Sequence, residues 1–395
     1  MKKHLPLLWI CGVCLGLLLY NIFYTPIKTA QMTPDSTAPT STAATTHSKD
    51  GEGDSIPEPD GEETNTPAVQ VRILNQDGNR QAWRAIAKQY SEKTGVEVLI
   101  LEADSELSPT LLTARDPQEL EGLTVHDLSG TVAYAQLANM NLTLSVEGKV
   151  CGIAAEMNAF GMIYNTDLLI GAGYTPEVIS DLASFSTVVQ GLAQQGYTAF
   201  AGRSLQDGVA EKLLSLPGNV RTLAGLWLNH TVTGSQENGL ERFMNGESVF
   251  YMGSTDEYDA ITAGSAKNLG ILPVYLDDQT SQAQSLCVTA ERYWCVVGED
   301  EAETAATMAF LNYLVTQDEN GAVPVDSLEM LAPYRQATWF SNPLEQILRQ
   351  DLTAGKGYLV CRQVTEVPEG FVDALIAYAQ DPTDENWALV EANKM

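Results

Sequence analysis

The side chains best placed by sequence to meet a small molecule are Glu156 and Asn158, inside the stretch KVCGIAAEMNAFGMIYNTDLLIGAG from Lys149 to Gly173. Val150 to Ala154 is β-prone, and Phe160 to Tyr164 is apolar at every position, as a strand covered on both faces requires. Two polar residues interrupting two buried strands are placed to face a cleft. A carboxamide both donates and accepts, which suits Asn158 to a pair of hydroxyl groups; the alternative is a hinge residue bonded to backbone. Asn165 and Thr166 then offer a turn and a cap, Asp167 sits in the first turn, and Gly171 with Gly173 ends a short helix.

A second set of candidates follows from the elements before this stretch. VQVRIL from Val69 alternates apolar and polar residues, Asn79 to Gly95 carries Trp83, Ile86, Ala87 and Tyr90 at helical spacing, and VEVLIL returns as a strand. This is a βαβ unit, which implies a right-handed crossover and a parallel sheet. Ligands of open parallel sheets bind beyond the carboxyl ends of the strands. The loops Asn75 to Asn79 and Glu102 to Ser105 lie there, so Asn75, Gln76 and Glu102 are candidate contacts, with ordinary polar loops as the alternative.

Several chemistries are excluded. The four histidines His4, His47, His126 and His230 are isolated, and no cysteine pair has zinc spacing, so no metal is expected. Carboxylates are plentiful enough for a glycosidase pair, but there is no G-x-S-x-G element and no phosphate loop. A binding protein without a cofactor is therefore expected rather than an enzyme. A formal charge of −29, from 22 Lys and Arg against 51 Asp and Glu, argues against nucleic acid. The acidity itself reads as solubility.

The 395 residues divide by composition into three parts. Residues 1–24 begin with basic Lys2 and Lys3 and continue with an apolar run from Leu5 to Phe23, a signal peptide or an uncleaved signal anchor, with the anchor favoured because no small-residue cleavage site follows promptly. Residues 25–67 are rich in Thr, Ser, Pro and acidic residues and read as a disordered stalk. Residues 68–395 are long enough for two lobes or one large domain. An anchor places this part outside the cytoplasm, where disulfides persist. Cys287 and Cys295 in SLCVTAERYWCV are then either a bridge between adjacent strands or free buried thiols, and Cys151 with Cys361 is a weaker pairing.

GIAAEMNAFGMIYNTDLLIGAGYTPEVI resembles the hinge-crossing segment of the extracellular solute-binding proteins of ABC importers, in the sugar-binding family 1 that includes the maltose-binding proteins, where it commonly reads GIPYxxNAYGxIYNKDLLxKAGY. The likeness extends to the opening strand and helix (W..IAK.Y.E.TGV), to ERFMNGESVFYMGS, and to SLCVTAERYWCVV, similar to the family's LC..TE.YWCVN. It spans roughly Val69 to Val390 and weakens between Leu107 and Val146, where Leu123 to Leu128 is read as a strand with Ser129 at its cleft-facing end.

The resemblance implies an α/β, two-lobed periplasmic-binding-protein-like fold of type II, with hinge strands between the lobes and the ligand cleft between them. Lobe 1 is expected over about 68–157 and 264–318, lobe 2 over about 158–263 and 319–395. It also implies capture of a carbohydrate, expected to be an oligosaccharide, for the permease subunits of an ABC importer, by a monomer tethered at the outer face of a bacterial membrane. The family's lipidation box is not matched at Cys11 or Cys14, so a lipid anchor is disfavoured.

Carried over by position, Asn158, Glu291 and Trp294 are expected ligand contacts. Where relatives place a sugar-stacking Trp this chain has Asp256, and Tyr258 is either a substitute ring or a buried structural tyrosine. That departure, with the weakened region before Thr131, leaves a sensing or protein-interaction domain on the same fold as the alternative.

Overall fold

The computed structural model describes residues 69–74, 79–200, 210–230, 239–277, 285–354, 357–364 and 366–394. The anchor expected over 1–24 and the stalk expected over 25–67 lie outside these residues, as do Asn75 and Gln76. The described residues fall in one compact unit, Asn65–Met395. Among them no helix is long and apolar enough to cross a membrane.

Among the described residues nine strands form one sheet: β1 (Gln70–Leu74), β2 (Glu97–Leu101), β3 (Leu111–Ala114), β4 (Thr143–Val146), β5 (Lys149–Asn165), β6 (Phe250–Ser254), β7 (Leu269–Leu272), β8 (Cys287–Val296) and β9 (Leu359–Val360). The helices that matter below are α1 (Arg80–Thr94), α2 (Leu182–Gln194), α3 (Ala210–Ser215), α4 (Tyr258–Ala263) and α5 (Glu301–Leu314). The opening βαβ unit forms as its pattern predicts. The Asn79 side chain caps α1 by accepting from the Ala82 N–H, and Gly95 ends it at φ +75°, a left-handed geometry that favours glycine. β1 and β2 then pair in parallel, Gln70 opposite Glu97 through Leu74 opposite Leu101.

Strand order runs β2-β1-β3-β8-β5-β4, with β6 and β7 added to the second half of β5 and β9 added to β8. β5 is a single strand of 17 residues. The polar interruption at Glu156 and Asn158 does not break it; register shifts flank Glu156, so β-bulges absorb the irregularity while β8 continues to pair alongside.

Alternation along β5 divides its side chains between two cores. Met157, Ala159 and Ile163 enter a first core with Trp83, Tyr90, Val288, Ala290, Trp294 and Phe310. Phe160 and Met162, on the opposite face, enter a second with Phe185, Phe200, Phe250, Cys287 and Phe371. One strand therefore carries parts of two separately packed cores.

Two sequence expectations are corrected, the strand at Leu123 to Leu128 and the disulfide pairing. Leu123 to Leu128 is not a strand: Val125 makes only an isolated bridge to Val297, and the N–H groups of His126 and Leu128 go to different strands, to Val296 O at 3.0 Å and Val150 O at 2.8 Å. The last strand is short, because the Arg362 N–H bonds Ser215 O at 3.2 Å on α3 instead of continuing the ladder.

The bridge between Cys287 and Cys295 is ruled out by placement. They stand at the two ends of β8, about 26 Å apart at the rise of an extended strand, far beyond the ~7 Å Cα limit of a disulfide. Cys361 packs in the second core with Cys287, and Cys151 packs with Cys295 in a third, smaller core, so Cys151 and Cys361 are not partners either. All four thiols are free and buried. Burial pushes the Cys295 thiol up to about 12, and burial reinforced by Cys361 raises that of Cys287.

Candidate ligand-binding site

Period-2 alternation also builds the site. On the face of β5 that carries Phe160 and Met162, the next residue toward the bulge is Asn158; on β8, Thr289 and Glu291 share the face of Cys287. Asn158 stands directly opposite Thr289. The second core ends at Phe160 and Cys287, and beyond it this polar row faces a cavity of about 320 Å³. That volume is at the lower end of small-molecule sites.

Three further segments close the cavity. Arg115 follows the end of β3; Glu211, Lys212 and Ser215 come from α3; Arg362, Gln363 and Val364 follow β9. The Lys212 ammonium lies 4.8 Å from the centroid of the Phe160 ring, a cation–π contact at the cavity floor. The Arg362 guanidinium is tied to the backbone, its Nε donating to Leu214 O at 3.2 Å and its Nη2 to Lys394 O at 2.9 Å. On β8, Arg292 meets Glu156 of β5 at 3.3 Å, both about a quarter exposed at 23% and 25%. The bulge at Glu156 is what brings it opposite Arg292.

Of the residues expected to contact ligand, Asn158 and Glu291 line this cavity, and Glu156 adjoins it through Arg292. Trp294 does not line it: the residue is 1% exposed, with its ring stacked 6.0 Å from Tyr334 at 14° and edge-on 6.3 Å from Trp83. Trp294 is the fully buried member of the adjacent pair; Tyr293 is half-buried and packs against both the first core and the third. Tyr258 starts α4 half-buried against the first core, Glu102 is exposed and ion-paired with Arg80 on α1, and exposed Ser129 donates its N–H to Asp127 at 3.0 Å; none of the three lines the cavity. Asn75 and Gln76 lie outside the described residues.

Sequence reasoning missed the cations Arg115, Lys212, Arg292 and Arg362. Only Arg292, beside Glu291 in the strand, carried a local signal. The others come from loops and a short helix whose approach to the strands is a tertiary event. Among the described residues no group of His, Cys, Asp and Glu is arranged to hold a metal.

A long strand is shared between two cores, with a polar cavity where one core ends. Solved structures agree on the fold. Apo RafE from Streptococcus pneumoniae aligns with TM-score 0.58 at 11% identity, over 83% of this chain and 96% of its own. The bacterial solute receptor AcbH, described as having an exclusive preference for β-D-galactopyranose, aligns at 0.59 and 14%, over 82% and 97%. The cyclic α-maltosyl-1,6-maltose binding protein of Arthrobacter globiformis aligns at 0.56 and 16%, over 82% and 97%.

The fold is thus the α/β periplasmic-binding-protein-like fold of solute-binding proteins. The family model for bacterial extracellular solute-binding proteins matches residues 62–323, and the chain belongs to that family. No curated protein sequence matches it. Family and structural neighbours are binding proteins rather than enzymes.

Proposed function

We propose that this chain captures a carbohydrate outside the cell and passes it to the permease subunits of an ABC importer, as a monomer held at the membrane by its N-terminal segment. The observation that carries the reading is the polar row Asn158, Thr289 and Glu291, set on the paired strands β5 and β8 where the second core gives way to a cavity of ligand size. Hydroxyl groups are recognised by such donors and acceptors. Two lobes built on the two cores would close over the ligand by flexing where β5 and β8 cross between them. The sugar receptors among the structural neighbours support the carbohydrate class.

The test is thermal unfolding of the purified full-length chain with and without a panel of mono- and oligosaccharides. A ligand at a hundred times its dissociation constant stabilises the native state by about 2.7 kcal/mol. A sugar-specific rise in midpoint is the expected result. A folded protein indifferent to a broad panel would overturn carbohydrate capture and favour a sensing or protein-interaction domain on the same fold.

A further inference from the structure

We infer that the solute held in this cavity is a carbohydrate bearing a carboxylate, of the uronic-acid class, rather than a neutral sugar; the inference rests on the carbohydrate reading above. Asp and Glu outnumber Lys and Arg by 51 to 22 in the chain. The cavity inverts that balance. Among the described residues its charged lining comprises four cations, Arg115, Lys212, Arg292 and Arg362, against two carboxylates, Glu211 and Glu291. In so acidic a chain, a concentration of cations in one concavity gives that concavity a local positive balance, which a low-dielectric cleft focuses.

How these cations are held argues in the same direction. Arg362 is fixed through Nε and Nη2 by two neutral backbone carbonyls, so those bonds orient its charge without cancelling it. Planar guanidinium groups suit a planar carboxylate, which they bind through paired N–H donors. Lys212 covers the face of Phe160, the only aromatic ring among the described lining residues, and Phe160 itself is 2% exposed. The surface on which a neutral pyranose would stack is thereby occupied by an ammonium group.

The count of charges selects among anions. The lining alone carries a balance of two positive charges; Glu156, which holds Arg292 at 3.3 Å, reduces it to one. A single carboxylate matches that better than a dianionic phosphate ester. Glu291 and Asn158 remain as acceptors for sugar hydroxyls.

The experiment is calorimetric titration of the full-length chain with a uronic-acid trisaccharide, its fully methyl-esterified form, the neutral parent trisaccharide and a hexose 6-phosphate. The methyl ester keeps the shape and removes the charge. Expected are binding of the uronate at least tenfold tighter than of its ester, weakening of the uronate alone as salt is raised, and a loss of tenfold or more in uronate affinity for Lys212→Met with no comparable loss for the ester. Arg115→Gln, at an exposed residue outside the cores, gives a second variant that tests charge without threatening the fold.

Ester or neutral parent binding as tightly as the uronate would overturn the inference while leaving carbohydrate capture standing. Preference for the hexose phosphate would overturn the carboxylate assignment. Failure of all four probes, together with a broad neutral panel, would overturn the carbohydrate reading and this inference with it.

Discussion

Replacing Trp294 by alanine separates a core role from the ligand role that the family resemblance implied for it. The indole is 1% exposed and lies between Tyr334, stacked at 6.0 Å, and Trp83, edge-on at 6.3 Å. Tyr334 in turn donates its hydroxyl to Ala154 O on β5 at 2.8 Å, so the ring supports the strand that carries the site. Truncating a buried Trp to Ala costs about 3–5 kcal/mol, of which each lost aromatic pair supplies about 0.5–1.5. Against a total stability of about 5–15 kcal/mol this is a large fraction. At an m-value of about 3 kcal/mol/M it lowers the urea midpoint by about 1 M or more.

Trp294→Phe should cost clearly less. It retains a ring, and among the described residues the Trp294 Nε1–H makes no hydrogen bond that phenylalanine would forfeit. The assay is urea unfolding followed by far-ultraviolet circular dichroism, with ligand affinity measured on the folded variants. The expected pattern is a midpoint shift ordered Ala over Phe, with affinity of the folded fraction retained for Phe. An alanine variant with a midpoint within about 0.2 M of the parent and no remaining affinity would refute the packing argument and return Trp294 to the cleft.

Three further outcomes follow from the geometry. Gly161→Ala in β5 would set a Cβ 2.6 Å from the Leu272 carbonyl oxygen and 2.9 Å from Ile271, so β7 must shift; overpacking of this kind costs about 1–3 kcal/mol, readable as a lower denaturation midpoint. Arg72→Met removes the fork in which Nη1 and Nη2 donate to Glu303 at 2.6 and 2.7 Å while Nε donates to Ser108 O at 2.7 Å, and should destabilise the join of β1 to α5 by about 1.5–3 kcal/mol in the same assay. The carboxylates of Asp127, Asp181 and Asp318 are held below the usual range chiefly by backbone N–H donors, of Ser129, Ser184 and Ala322 respectively. Because their folded-state values are depressed, the stability they contribute is complete above the ordinary Asp value of about 4 and is lost as pH falls through the depressed values. Alanine at all three should flatten the fall in thermal midpoint below pH 4, and an unchanged acid limb would count against this assignment.

Local patterning made much of the fold legible. The stripe Trp83, Ile86, Ala87, Tyr90 is the buried face of α1, and the alternation of VQVRIL and the run VEVLIL are the paired β1 and β2. The stretch from Lys149 to Asn165 was readable as the organising element, though as two strands rather than one, because a bulge and a break leave the same polar mark in a sequence. Leu123 to Leu128 was misread for the complementary reason: an extended segment becomes a strand only if one neighbour supplies its partners, and here two do so in turn.

By itself, the sequence determined which residues alternate, which are apolar and where helices are capped, and from these that Asn158 interrupts buried strand residues; Glu291 was reached only through the family resemblance. Only the tertiary structure decided that Trp294 is fully enclosed in the first core while Tyr293 stays half-buried between the first and third, that Cys287 sits with Cys361 and Cys151 with Cys295, and that Arg115, Lys212, Arg292 and Arg362 converge on one cavity. The division has a physical cause. Periodicity is a property of neighbours along the chain, whereas the meeting of a short helix, two strand exits and a bulged strand depends on how separate elements pack, and no local pattern records that.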